Sequence, residues 1–359
     1  MIAVIADDFT GAAELAGICL RYGLKVELCV GEVEYKNADV LVVSTDSRSL
    51  KKDEAIWITE ELLKKILQLK PNFIYKKIDS VLRGYVLEEA KVQMKLMNKS
   101  RAFIMPANPS LNRTIRNGDY FVDGVKITGT GFAHDPEFPI KTNSVKEILD
   151  NEVEVLKSKN EVADTGIVVG EVSKFEDYDY WADKVSEETV LVGAGDFFTA
   201  LLNKYYHPQQ QKQFEMQSPH LYVCGTAFNE RKKFIKKLNC VSWLPENINE
   251  YWLKKTGDIV NKERKVVVAI DESTSSALSL RTNMAKAVKE IVTREMIKEI
   301  FIEGGSTAAA ILQELKIKIL VPTDELSRGV VRMKARDLFI TVKPGSYELP
   351  DQIKRLYNI

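Results

Sequence analysis

Two adjacent carboxylates open the chemistry of this chain. Ile2–Ala6 reads as a short apolar strand that runs straight into Asp7-Asp8-Phe9-Thr10-Gly11-Ala12 and then a helix. Aspartates at the carboxyl end of a strand can accept a proton from a hydroxyl, as the base in phosphoryl transfer does, or hydrogen-bond sugar hydroxyls. One polar residue there would merely cap the helix; two adjacent aspartates exceed what capping needs. Ser44-Thr45-Asp46-Ser47-Arg48-Ser49 follows another apolar run, and Arg48 offers a fork for a substrate carboxylate, although a solvated loop would look the same. Tyr75-Lys76-Lys77-Ile78-Asp79-Ser80-Val81-Leu82-Arg83-Gly84 sets basic residues around an aspartate at a strand-to-helix junction. A lysine on a buried sheet face is costly unless an anion pairs with it, so Lys76 or Lys77 calls for one. Met105-Pro106-Ala107-Asn108-Pro109 adds a rigid turn, with Arg113 close behind. Asp, Arg, Lys, Ser and Asn at successive strand ends suit a small polyhydroxy acid, with donors for its carboxylate and acceptors for its hydroxyls.

The second half is punctuated by glycine instead. Cys224-Gly225-Thr226-Ala227-Phe228-Asn229 and Glu303-Gly304-Gly305-Ser306-Thr307-Ala308 each lead from a strand into a helix, and Lys343-Pro344-Gly345-Ser346 ends a strand. Small residues let backbone N–H groups approach phosphate, and a helix N-terminus favours its charge. Together these turns point to a nucleotide. There is no G-x-x-x-x-G-K-[ST] and no G-x-G-x-x-G after the first strand, so neither a P-loop nor a dinucleotide fold is expected. Gly193-Ala194-Gly195-Asp196 resembles the G-A-G-D motif of ribokinase-like sugar kinases, which keeps Asp196 open as an alternative base.

The elements that must carry these residues alternate. Short apolar runs at Ile2–Ala6, Lys25–Val30, Val40–Ser44, Phe73–Ile78 and Ala102–Met105 are separated by helical periodicity, as in Ala12–Tyr22, Asp53–Leu69 and Val86–Met97. The alternation restarts after residue 220. It predicts an α/β protein: two doubly wound domains with mainly parallel sheets, ligands at the carboxyl ends of the strands, and an interdomain cleft. The glutamine-rich, proline-bounded His207–His220 reads as the linker, giving domains 1–210 and 219–359. Arg116–Asn143, rich in glycine and proline and without a period, reads as a long functional loop.

Composition narrows the class further. The 359 residues carry 51 basic and 51 acidic side chains, so no global field holds nucleic acid or an anionic membrane. Three histidines and four scattered cysteines without a C-x-x-C pair predict no metal cluster and reduced thiols, hence the cytoplasm. No apolar run approaches the roughly 20 residues of a membrane span, and no signal-peptide pattern opens the chain.

Ala6-Asp7-Asp8-Phe9-Thr10-Gly11-Ala12, Lys77–Gly84, Pro106-Ala107-Asn108-Pro109 and Gly304-Gly305-Ser306-Thr307 resemble the four-carbon acid sugar kinase family, in order along nearly the whole chain. The resemblance implies a sugar-acid-binding N-terminal domain and a nucleotide-binding C-terminal domain. Members use ATP to phosphorylate threonate, erythronate or their oxidised relatives; Mg²⁺ bridging the ATP phosphates is the cofactor expected with it. The resemblance also implies that Asp7, Asp8, Arg48, Lys77, Asp79 and Arg83 surround the sugar acid; the catalytic residues then expected are Asp8, Asp79 and Arg83, with Asp8 or Asp79 taking the hydroxyl proton. Asp7, Arg48, Lys77 and Asn108 would bind the sugar acid; Thr226, Gly304, Gly305, Ser306, Thr307 and Gly345 would touch ATP. This chain has Val81 where many members have Thr, Ser306 where they have Glu, and Ser346-Tyr347-Glu348 where they have Asn-Phe-Gly. The changed phosphate turns keep a non-catalytic sugar-acid sensor as a second alternative, and a homodimer is compatible with either reading.

Overall fold

The computed structural model describes residues 1–158, 160–209, 214–225, 229–271, 276–345 and 347–357. The chain divides into two compact units, Met1–Lys25 with Cys29–Gln209, and Val26–Leu28 with Gln210–Ile359. Through residue 209 the elements are β1 (Ile2–Ala6), α1 (Phe9–Arg21), β2 (Val26–Val30), β3 (Val40–Ser44), α2 (Lys52–Gln68), β4 (Phe73–Lys77), α3 (Val86–Met97) and β5 (Arg101–Met105). They continue with β6 (Arg113–Arg116), β7 (Asp119–Val122), β8 (Val125–Lys126), α4 (Val145–Ile148), β9 (Glu154–Leu156), β10 (Gly166–Gly170), α5 (Asp177–Asp183), β11 (Thr189–Gly193) and α6 (Gly195–Asn203). Within the first unit the strand order is β3-β1-β4-β11-β5-β10-β9, and every neighbouring pair is parallel.

β1, β3 and β5 are buried along their whole length, the pattern of parallel strands covered on both faces. α1 is buried along most of its length and α2 along the stripe Leu62, Leu63 and Ile66. The sheet diverges at β1: β3 pairs on one side and β4 on the other, with Ala6 level with both Ser44 and Lys77. Three adjacent strands therefore end together, at the kind of switch point where doubly wound sheets bind ligands.

The second unit contains β12 (His220–Cys224), α7 (Asn229–Ile235), β13 (Val241–Trp243), α8 (Glu250–Glu263), β14 (Lys265–Ala269) and α9 (Ala277–Arg294). It continues with β15 (Glu299–Glu303), α10 (Gly305–Glu314), β16 (Ile319–Ser327), β17 (Val330–Ala335), β18 (Leu338–Lys343) and α11 (Asp351–Leu356). The order is β13-β14-β12-β15-β18-β17-β16; the first five strands are parallel and the last two join antiparallel. No helix among the described residues is long and apolar enough to cross a membrane.

Several stretches differ from the sequence expectation, among them residues 116–143 and β17. Residues 116–143 are not a featureless loop: β6, β7 and β8 form a small antiparallel sheet. Its turns place Asn117-Gly118 and Asp123-Gly124 at positive φ, the Asn-Gly and Asp-Gly signature of tight hairpins. The strands are too short for periodicity to reveal them. In the second unit β17 was not expected, because Val330–Ala335 alternates only weakly between apolar and charged residues.

Candidate active site

The functional side chains of the first unit leave the level ends of β1, β3 and β4. Asp8 caps α1, accepting from the Gly11 N–H at 2.8 Å and the Thr10 hydroxyl at 2.5 Å. The close approach requires Gly11: a Cβ there would lie 2.6 Å from Asp8 Oδ1 and 3.0 Å from Lys77 Nζ. After β3 a short turn, Ser47–Ser49, carries Arg48, whose backbone N–H donates to the Asp7 carbonyl at 3.2 Å. The Arg48 guanidinium pairs closely with Asp8 Oδ2, lies 3.3 Å from Asp79 Oδ1 and 3.6 Å from Asp7 Oδ2. After β4, Arg83 grips Asp79 through Nε at 2.8 Å and Nη2 at 3.0 Å. The turn between them holds Leu82 at φ 64° and Gly84 at φ 91°. A non-glycine residue in the left-handed region costs energy, and such strain clusters at ligand-binding turns.

The two lysines of β4 find their anions inside the protein. Lys76 pairs with Glu89 of α3, both almost fully buried, and Lys77 Nζ lies 3.2 Å from Glu14 Oε2 of α1. Glu14 and Glu89 were not among the sequence candidates. The signal for Glu14 was a carboxylate in the run Ala12-Ala13-Glu14-Leu15-Ala16, on a helix whose face is otherwise apolar.

The carboxylates differ in how firmly they hold their charge. Burial pushes Asp79 toward the neutral form, but Arg83 and Arg48 outweigh it and hold its pKa well below the usual carboxylate range. Asp8 is also held low: Arg48, Lys77, Thr10 and the Gly11 N–H together overcome its burial. Asp7 goes the other way. Burial dominates, Arg48 offsets only part of it, Asp8 adds to it, and the pKa is pushed up to about 6. The sequence leaves the proton-accepting role to Asp8 or Asp79; their partners make both weak bases.

A second layer closes over this cluster. Asn108, buried, exchanges backbone hydrogen bonds with Arg113 at 2.8 and 3.2 Å. Arg113 in turn donates to the Ser80 hydroxyl, and the Tyr120 hydroxyl of β7 donates to the Ser80 carbonyl. Arg83 Nη1 reaches Asp135 at 2.9 Å, and both Arg83 and Arg113 lie over the Phe132 ring. Residues 113–138 thus lie against the Asp79–Gly84 turn, which gives the glycine-rich segment its place in the site.

Asp196 is engaged elsewhere. Its two oxygens accept from the Ser110 N–H at 2.9 Å and from the Ser110 hydroxyl at 2.6 and 2.7 Å, pinning the turn after Asn108. Hydrogen bonds to a buried charge are worth about 1.5–3 kcal/mol. Asp196→Ala is expected to lose about that much stability in urea unfolding.

In the second unit Cys224, Glu303 and Lys343 end level on β12, β15 and β18. Buried Glu303 accepts from the Tyr222 hydroxyl and pairs with Arg231 Nε at 3.2 Å and Lys343 Nζ at 3.1 Å. Lys343 Nζ also donates to the carbonyls of Pro344, at 2.7 Å, and Gly345, at 3.3 Å, folding the strand-end turn around itself. Gly304 takes φ 112°, a conformation open to glycine, and donates its N–H to the Lys343 carbonyl at 2.9 Å. α10 then begins at Gly305 with Ser306 exposed and Thr307 buried; Gly304 supplies no side-chain cap. The first N–H groups of a helix lack intrahelical partners. Thr226 and Ser346 lie outside the described residues. Arg231 and Glu303 were not sequence candidates, since neither stands in a glycine-rich turn.

Residues 2–186 match the family described as the sugar-binding N-terminal domain. The chain is 28% identical over 260 residues to the D-threonate kinase of Salmonella typhimurium, a match covering 66% of this chain and 60% of that protein. It is 22% identical over 413 residues to the 3-oxo-tetronate kinase of Haemophilus influenzae, covering 98% of each. The crystal structure of a Haemophilus influenzae protein superposes with a TM-score of 0.75 at 18% identity over 99% of both chains, a likeness of fold. With more than half of its length inside one family's pattern, the chain belongs to the family of the sugar-binding N-terminal domain, that of the four-carbon acid sugar kinases.

Proposed function

We propose that the protein is an ATP-dependent kinase that phosphorylates a hydroxyl of a small acid sugar, in the four-carbon class of threonate, erythronate and oxo-tetronates. The observation that carries this reading is the convergence of Asp7, Asp8, Arg48, Lys77, Asp79 and Arg83 at three level strand ends. The names of the similar D-threonate and 3-oxo-tetronate kinases support it. We assign the sugar acid to residues 1–210 and the nucleotide to residues 219–359. Four buried cysteines without a disulfide fit a reducing compartment, and we place the enzyme in the cytoplasm.

The substrate carboxylate has one natural partner. Arg48 was expected to receive it, but three aspartates already surround that guanidinium. Arg83 spends all its nitrogens on Asp79 and Asp135. Arg113 makes a single side-chain hydrogen bond, to Ser80, and keeps donors for a carboxylate. Asp8 and Asp79, firmly ionised, are acceptors that orient sugar hydroxyls. For the nucleotide, the glycine turn at Gly304 and Gly305, the N–H groups opening α10 at Ser306 and Thr307, and Gly345 fit phosphate oxygens. Among the described residues no cluster of three carboxylate, histidine or cysteine side chains suits a metal ion. Mg²⁺ needs no such cluster, being commonly held by substrate phosphates with one or two carboxylates. When bound, Mg²⁺ neutralises phosphate charge.

The test is a screen of four- to six-carbon aldonates and oxo-acids for ATP-dependent phosphorylation by the purified protein. Turnover of a four-carbon acid in preference to longer ones is expected. Sugar-acid binding without nucleotide heat in calorimetry would make it a sensor instead. Asp196→Asn separates the ribokinase-like alternative: turnover should stay within about tenfold, whereas loss of a catalytic base costs about 10²–10⁴-fold.

A further inference from the structure

We infer that Asp7 is the general base of the proposed phosphoryl transfer, with Asp8 and Asp79 as its electrostatic and positioning neighbours. The inference rests on the kinase reading and deepens it. Asp7 is 3% exposed, at the carboxyl end of β1, and its Oδ1 has no hydrogen-bond partner among the described residues. Glu14 Oε1 and Glu89 Oε1 also lack hydrogen-bond partners, but those carboxylates are paired with Lys77 and Lys76, and the other aspartates of the site each hold several partners. Asp8 holds a helix cap, a threonine hydroxyl and Arg48; Asp79 holds Arg83 twice and Arg48; Asp135 holds two backbone N–H groups and Arg83. A buried acceptor without a partner is costly, and a substrate hydroxyl donating to Oδ1 would satisfy it.

The charges around Asp7 come from several elements. Arg48, on the turn after β3, lies 3.6 Å from Oδ2. Asp8 follows on its own strand end. Lys76 of β4 and Glu89 of α3 face it as a pair that cancels most of its own field. Lys77 and Asp79 stand at the end of β4, tied to Glu14 and to Arg83. Burial therefore dominates, and a carboxyl whose pKa is about 6 is ionised at neutral pH yet more basic than an ordinary aspartate.

The acceptor hydroxyl gives its proton to Asp7 Oδ1 while its oxygen forms a bond to the γ-phosphorus of ATP. The bond from that phosphorus to the β,γ-bridging oxygen breaks, and its electron pair leaves with ADP. Asp7 returns the proton to solvent after the phosphorylated acid departs.

The experiment measures kcat and kcat/KM between pH 5 and 8 for the acid turned over best, in the wild type, Asp7→Asn and Asp8→Asn. The wild type should show an acid limb in kcat/KM near pH 6, which needs no variant to fold. Asp7→Asn should lower kcat about 10²–10⁴-fold with KM for the acid within about threefold, and the residual activity should lose the limb. Asp8→Asn should keep the limb. Melting temperature and far-ultraviolet circular dichroism confirm that the variants are folded. A wild-type profile flat from pH 5 to 8, or Asp7→Asn within tenfold of wild-type kcat with its limb intact, overturns the assignment while leaving the kinase reading standing. A wild type that phosphorylates no acid overturns both.

Discussion

Arg48→Ala should remove sugar-acid turnover and destabilise the protein by about 3–5 kcal/mol at neutral pH, the scale for stripping one partner from a buried ion-pair network. The magnitude follows from what Arg48 neutralises. Its side chain is 18% exposed and stands within ion-pair distance of Asp7, Asp8 and Asp79. Those aspartates hold its pKa well above the usual guanidinium value, against its burial. Without it, three buried carboxylates face one another with Lys77 and Arg83 as the nearest cations. Arg48→Lys should rescue only part of the loss, since a single ammonium cannot span three carboxylates as a planar fork does. The pH dependence has a definite sign. Asp8 and Asp79 have folded pKa values lowered from 3.8, so they contribute stability above that value and lose it as pH falls through their lower folded values. The gap between wild type and Arg48→Ala should be widest at neutral pH and close as the medium becomes strongly acid. Urea unfolding at pH 7 and pH 2 reads this directly. Equal gaps at the two values would show that Arg48 acts by packing and not by charge.

Asp7→Asn should do the reverse to stability while silencing catalysis. A carboxyl with a folded pKa of about 6 and an unfolded value of 3.8 destabilises the native state once both forms are ionised. A shift of about two pKa units corresponds to about 3 kcal/mol, so a gain of about 1–3 kcal/mol at pH 7 is expected. The effect develops in the window between the two values. Well below pH 3.8 the carboxyl is protonated in both states and has no effect. As pH rises toward 6 the folded carboxyl keeps its proton longer than the unfolded one, and the penalty grows until both are ionised. The advantage of Asp7→Asn should therefore be small near pH 4 and complete above about pH 7. An inactive variant that melts higher than its parent is the mark of a strained functional group. A residue placed only for structure would melt lower when changed. Thermal melts of the two proteins at pH 4 and pH 7.5 make the comparison.

Much of the architecture is written in local pattern. The buried runs of β1, β3 and β5 are continuous because both sheet faces are covered, and the period of α2 follows from its single buried stripe, so both are legible residue by residue. The β6–β8 hairpins escaped because strands of two to four residues carry no readable period, although their Asn-Gly and Asp-Gly turns were visible. Side-chain types at strand ends were legible too: Asp7-Asp8, Arg48, Lys77 and Asp79 through Arg83 stand after apolar runs. Their partners were not. That Arg48 is enclosed by three aspartates depends on Ala6, Ser44 and Lys77 ending level across three strands distant in sequence. That Lys77 meets Glu14 and Lys76 meets Glu89 depends on how α1 and α3 pack on the sheet. Asp196 sat in a motif that suggested catalysis, and only the approach of the Pro109–Leu111 turn made it a clamp on Ser110. The chain by itself thus determined the alternating elements, the residue types at their ends and the class of ligand they suit, because propensity and burial act over a few neighbours. Only the tertiary structure decided which aspartate keeps a buried oxygen without a hydrogen-bond partner and a raised pKa, because desolvation and ion pairing depend on charges brought together from β1, β3, β4 and α3.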